Sequence, residues 1–475
     1  MKKQQIALSA TAIALALTLG ACGGGGGTSL GTGSTTTTQG IITGFGSVFV
    51  NGVEYDIPGS TPISMDGSDA TESELQVGML VTLKGTVNAD GKTGIASSIE
   101  YADQMEGVVT ANTVAANGIG TLTVMGQTIS VTADTVFDSR VAGITSADLI
   151  QVGNIVEVSG YASSSGEVTA TRIEVKAASQ AAGAIIEVKG IISNLDAGKG
   201  VFNLGTLTVD YGALAAAYLP STALANGQYV EVKSTTPFDG SGSLIAGKIE
   251  LTDDGVKGHE GTLGEELEIK GLVTANFAND QFELNGRTIL IDGSTRVENG
   301  TTAQLVIGTP VKVHNHFNSD GQLVADKIDF KNASKMELEG SLEAVDLTAG
   351  TITLLGQVIY VDNSTVMLDK SDTAVRYFSL ADLNPSNGDH LEVNAYLDAA
   401  TGHLIATKLE RHNYSNQAKV SGSVNSTNGL EVAGISIDTA TATGVVPALG
   451  SGNNAEVKGV YSDGVLHASE VSVDD

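Results

Sequence analysis

Seven histidines could serve metal or acid–base chemistry: His259, His314, His316, His390, His403, His412 and His467. Only His314 and His316 have a spacing that points to joint work. Two residues apart on a strand, both rings project to one face. With a third ligand from a neighbouring strand they could hold a transition-metal ion. They are the metal ligands that the sequence nominates. The plainer reading is two polar residues on the wet side of a strand, since the other repeats place different polar residues there. Turns such as Asn88-Ala89-Asp90-Gly91, Asn318-Ser319-Asp320-Gly321 and Asp292-Gly293-Ser294 invite a calcium reading. A dedicated calcium loop needs oxygen ligands on alternate residues and a bidentate Glu, and turn chemistry explains these residues equally well. There is no GxxxxGK[ST], HExxH or CxxCH segment, and the paired carboxylates (Asp253-Asp254, Glu265-Glu266, Asp474-Asp475) lie in polar linkers or the tail. No catalytic residue and no cofactor is nominated.

The single cysteine, Cys22, carries the strongest chemical signal. Lys2 and Lys3 precede an uncharged, mostly Ala/Leu/Ile stretch from Ile6 to Leu19, which ends in Leu19-Gly20-Ala21-Cys22. That stretch has the length of a signal-peptide core rather than of a membrane span. Its end resembles a bacterial lipobox. The resemblance implies that residues 1–21 are a lipoprotein signal peptide and that Cys22 becomes the acylated first residue, carrying palmitate-type chains. Several acyl chains anchor stably where one would not. Gly23 stands where an inner-membrane retention signal would resemble Asp, so the expected location is the outer membrane, on its periplasmic face or the cell surface. Residues 22–39, with a glycine run at 23–27 and a threonine run at 35–38, read as a flexible tether. A coil of about 17 residues spans roughly 20–25 Å.

Composition narrows the partners. Lys+Arg 25 against Asp+Glu 54 gives a net charge of −29, which repels nucleic acid. Trp is 0 and aromatics are 4%, which leaves few stacking platforms for bases or sugar rings. The same field attracts divalent cations weakly and without a defined site.

The elements that must position any site come in repeats. Ala-x-x-[Ile/Leu/Val] recurs at Ala96, Ala170, Ala246, Ala325, Ala406 and Ala468. Ahead of each lies Gly-x-x-Val-x-Val-x-Gly or a relative, from Gly78, Gly153, Gly227, Gly308, Gly388 and Gly452. Ser234, Asn315 and Ala395 replace its closing Gly in repeats three to five. Earlier still come apolar alternations around a glycine turn, clearest at Asn51-Gly52 and Asn285-Gly286. Period two is strand periodicity, and Asn-Gly is a type I′ hairpin signal. Asp90-Gly91, Asp320-Gly321 and Asp463-Gly464 predict the same turn between the fourth and fifth strands. The variable excursion before the fourth strand has room for a short helix.

The expected fold class is all-β: a tandem array of about six small five-stranded OB-like β-barrels after a signal peptide and flexible tether. An Ig-like sandwich is the structural alternative. The barrels fall at 40–103, 104–176, 185–252, 267–331, 334–411 and 415–475, with an acidic linker at 253–266. These segments resemble a family of bacterial envelope lipoproteins built of tandem "domain of unknown function 5666" modules, over nearly all of residues 40–475. The resemblance implies the modular architecture and no activity.

The functional expectation is a non-catalytic, lipid-anchored string of barrels acting as spacer, scaffold or multivalent interaction or adhesion module. Its partners would be the membrane, through lipid on Cys22, and an envelope protein or surface polymer. The alternative is an envelope carrier of a small ligand or metal ion that uses barrel four with His314 and His316. Cys22→Ser should abolish incorporation of labelled palmitate and move the protein from the membrane fraction to the soluble fraction.

Overall fold

The structure, a computed structural model, describes residues 34–474 except 239, 241, 253–265, 334, 428, 441 and 443–448. The signal peptide, Cys22 and nearly all of the linker at 253–266 therefore lie outside the described residues, as does His259. No described helix is long and apolar enough to cross a membrane.

Alternating apolar residues make strands, and the turns between them decide how the strands close. In module one the five strands are Ser34–Phe45, Val48–Val50, Val53–Asp56, Leu80–Val87 and Thr93–Tyr101. The first pairs with the second, the second with the third, and the third runs parallel to the fifth. The fifth pairs with the fourth, and the fourth returns to the first. That cycle is an OB-like barrel, which removes the edges a small sheet would otherwise expose. Modules two to six begin with Met105–Asn112, Ile186–Asp196, Glu266–Ala278, Met336–Asp346 and Ala418–Asn425, and each repeats the cycle. The excursion before the fourth strand carries a three-residue 3₁₀ turn, Glu72–Glu74 in module one and Leu380–Asp382 in module five.

The hairpin between the second and third strands turns as the sequence predicts. Asn51 and Gly52 have φ of 54° and 86°, and Asn285 and Gly286 have 49° and 79°. Met125 and Leu355 hold the same left-handed position in modules two and five, and Gly205 and Ala433 in modules three and six. Between the fourth and fifth strands only Asp463-Gly464 makes the two-residue turn, with both φ values positive. At Asp90-Gly91 and Asp320-Gly321 only the glycine is left-handed. There the loops are longer, and Asn88 and Asn318 bond across them to Thr93 and Gln322. Those two expectations are corrected.

The Ala-x-x-Ile signature marks a β-bulge. The register slips by one residue just after Ala96, Ala170, Ala325, Ala406 and Ala468. A threonine hydroxyl from the preceding excursion donates to four of those alanine carbonyls: Thr61 to Ala96, Thr135 to Ala170, Thr295 to Ala325 and Thr365 to Ala406. The closing glycine faces the bulge. A Cβ at Gly459 would sit 2.0 Å from the His467 carbonyl oxygen, so only glycine fits that backbone as it stands. Modules four and five carry Asn315 and Ala395 opposite their bulges.

The barrels are not separate beads. The first strand pairs with the fourth strand along its first half and with the second along its second half. One edge of the first half is left open in each barrel. Three pairs of modules close that edge on each other. Thr36–Gln39 of module one runs parallel to Glu266–Ile269 of module four. Glu106 and Met105 of module two pair with Glu187 and Val188 of module three. Glu337–Glu339 of module five pairs with Lys419–Ser421 of module six. Modules two and three share one apolar core, and so do modules five and six. Val136 of module two and Val366 of module five enter the core of module one. The tandem array of barrels is thus joined through strand edges. The expected tether at 22–39 is corrected at its end: from Ser34 the chain belongs to the first strand, because β-branched threonines suit a strand once an edge is offered.

Gly459→Ala should lower stability by about 1–3 kcal/mol, measured as a shift in urea midpoint with unchanged slope. A change below about 0.5 kcal/mol would mean that the bulge yields.

Candidate functional site

Alternation along the first strand puts the residue before its glycine on the outside of the barrel, opposite a residue of the fourth strand. In module two these are Glu106 and Glu157, and in module five Glu339 and Glu392. Module three has Lys189 against Glu231. Module four alone has two lysines there, Lys270 against Lys312.

Where modules two and three join, Lys189 is the hub. Its Nζ lies 3.2 Å from Asp66, 2.5 Å from Asp103, 3.4 Å from Glu187 and 3.3 Å from Glu231. Burial opposes its charge, but the carboxylates outweigh burial and hold its pKa above the usual lysine range. Asp66, Asp103 and Glu187 converge closely enough for a metal ion, and the Lys189 ammonium already lies among them. The join of modules five and six has a similar network. Lys419 pairs with Glu337, Lys408 lies 3.5 Å from Glu410, and the buried His390 meets Glu339 at 3.1 Å. His412 sits 3.7 Å from Glu392. Lys419, Glu337 and Glu339 lie on the shared edge itself, and the other groups on the fourth and fifth strands of module five.

His314 and His316 do share the outer face of the fourth strand of module four. They are drawn to different carboxylates, His314 to Glu268 at 3.5 Å and His316 to Asp326 at 2.9 Å. Burial and nearby Lys312 and Lys327 hold the His314 pKa below the usual histidine range against the pull of Glu268. Among the described residues, the metal-type triplets do not include either histidine.

Modules one, two, four and five meet around a cavity of about 510 Å³. Module four supplies Lys270, Lys312 and Lys331; module two supplies Tyr161 and Asp134; module five supplies Asp362. Lys270 and Lys312 are cross-strand partners, and Lys331, just past the end of the fifth strand, donates its amide to the Pro310 carbonyl. Sequence reasoning passed over this group. The signal available was the charge inversion at the rung of repeat four, visible only once the repeats are aligned strand by strand.

The profile of a family described as Domain of unknown function (DUF5666) matches residues 38–100, 106–174, 270–329, 339–410 and 419–472. The chain belongs to the DUF5666 family. Five DUF5666 segments thus coincide with modules one, two, four, five and six. Module three lies outside the matched segments yet completes the same cycle. It departs in its fifth strand, split into Ser243–Ile245 and Lys248–Leu251 around Ala246-Gly247. No curated protein matches the chain.

Lys189→Met should destabilise the fold by about 3–5 kcal/mol at neutral pH, because it strands several desolvated carboxylates. The loss should shrink as pH falls and those carboxylates take up protons, as followed by chemical denaturation at pH 7 and pH 5.

Proposed function

We propose that this protein is a non-catalytic, lipid-anchored envelope protein of the outer membrane that acts as a scaffold or multivalent interaction module. The observation that carries the reading is the edge-to-edge joining of modules. Joined barrels present their outer faces at fixed separations. Contacts made by several modules to one macromolecular partner then add with little further ordering cost. Fixed separations suit a scaffold better than a flexible spacer. Ionisable groups support this, because many serve structural ion pairs: Asp369 with Arg411, Glu157 with Lys176, and the ring of carboxylates about Lys189. Lipid on Cys22 would hold the assembly at the membrane, leaving residues 23–33 as the tether.

A second reading, an envelope carrier of a small ligand, is supported by the central cavity. His314 and His316 lend it less, since each ring has its own carboxylate.

The scaffold reading is tested by complementation. An exported Cys22→Ser chain should fail to restore what deletion of the gene removes, and cross-linking of the anchored chain should trap a macromolecular partner. Full rescue by the unanchored chain would overturn the reading.

A further inference from the structure

The lysine group in the central cavity is costly as it stands. Like charges directly opposite on neighbouring strands destabilise a sheet, and Lys270 lies opposite Lys312. Lys312 has Glu268 at 3.1 Å and Lys331 has Asp329 at 2.5 Å. The Lys270 ammonium has no ion-pair or hydrogen-bond partner among the described residues. Burial, and then Lys331 and Lys312, hold its pKa below the usual lysine range against the weaker pull of Asp362 and Glu268. A desolvated ammonium without a counter-ion is unfavourable. The facing carboxylates are engaged elsewhere: Asp134 accepts from the Thr407 hydroxyl at 2.8 Å, and Asp362 from the Ser364 amide at 2.7 Å. Beside them the Tyr161 hydroxyl makes no hydrogen bond among the described residues, and burial with nearby Asp134 raises its pKa, so it remains a donor.

Two further observations point the same way. The cavity, about 510 Å³, is of the size that encloses small molecules. The rung that carries Lys270 and Lys312 is acidic on both strands in modules two and five, so the positive wall is particular to the module that lines the cavity. In a chain of net charge −29, a cationic wall inside a junction marks a place where negative charge is wanted.

We propose that this cavity binds a small molecule bearing an oxyanion, carboxylate or phosphate, with Lys270 as its principal counter-ion, Lys312 and Lys331 beside it, and the Tyr161 hydroxyl as a further donor. Lysine suits the task as a mobile point charge that does not demand a planar ligand. The proposal deepens the carrier reading and is independent of anchoring and of the scaffold reading.

Titration calorimetry of the full mature chain with citrate and with pyrophosphate, against sodium chloride of matched ionic strength, tests it. One of the two compounds should bind saturably at a single site and raise the melting temperature, and which one binds separates carboxylate from phosphate chemistry. Lys270→Met should weaken that binding at least tenfold while raising the melting temperature of the ligand-free protein, since it removes the unpaired charge. Lys331→Gln should weaken binding less and serves if the first variant misfolds, as judged by circular dichroism. Failure of both compounds to bind saturably at millimolar concentration, or equal binding by wild type and both variants, would overturn the proposal.

Discussion

A small barrel of five strands leaves one length of backbone unsatisfied. Its first strand must serve two neighbours in succession, so the first half of that strand keeps a free edge. Unpaired backbone groups at such an edge invite another strand. In this chain each open half finds the open half of another module, and the larger organisation follows from that pairing. It explains why cores merge within two of the three pairs and why a threonine run that reads as tether becomes a strand. It also explains why module three keeps its place with a broken fifth strand: its first strand and its share of a joint core are intact.

The same edges set the electrostatics. Residues just outside the paired backbone come from two barrels at once, so charges that would be solvated on an isolated module are brought together. Modules two, three, five and six resolve this with lysines set among carboxylates. Module four, paired with module one through a parallel seam, faces other barrels with lysines instead. The distinction between structural and binding charge rests on whether counter-charges are present in the fold. Around Lys189 carboxylates pair with the ammonium; around Lys270 the nearby carboxylates make no ion pair with it.

Much of the architecture was legible from residue order. The apolar alternation and the Asn-Gly turns define strands and hairpins, and Asn51 and Asn285 adopt the backbone their type favours. Ala-x-x-Ile could be located but not interpreted, because a bulge shows only against its partner strand. Met125 and Leu355 do not signal a left-handed turn by type; they hold it because their side chains cover the glycines of the first strand, Gly107 and Gly340. Edge pairing between modules was invisible, since alternation says which face of a strand is wet and nothing about which edge is free. The cavity lysines were hidden for a related reason: Lys270, Lys312 and Lys331 are separated in sequence and are gathered by strand register alone.

The left-handed residues of the hairpins between second and third strands follow an order. They run asparagine, large apolar, small in modules one to three, and the same again in modules four to six. Modules two and three are joined antiparallel, as are five and six, while modules one and four meet in parallel. Each triplet of modules thus repeats the order of the other, and the parallel seam is a strand pairing that joins the two triplets. The peptide connecting the triplets gives each a high effective concentration for the other, so the junction that encloses the cavity forms within one chain.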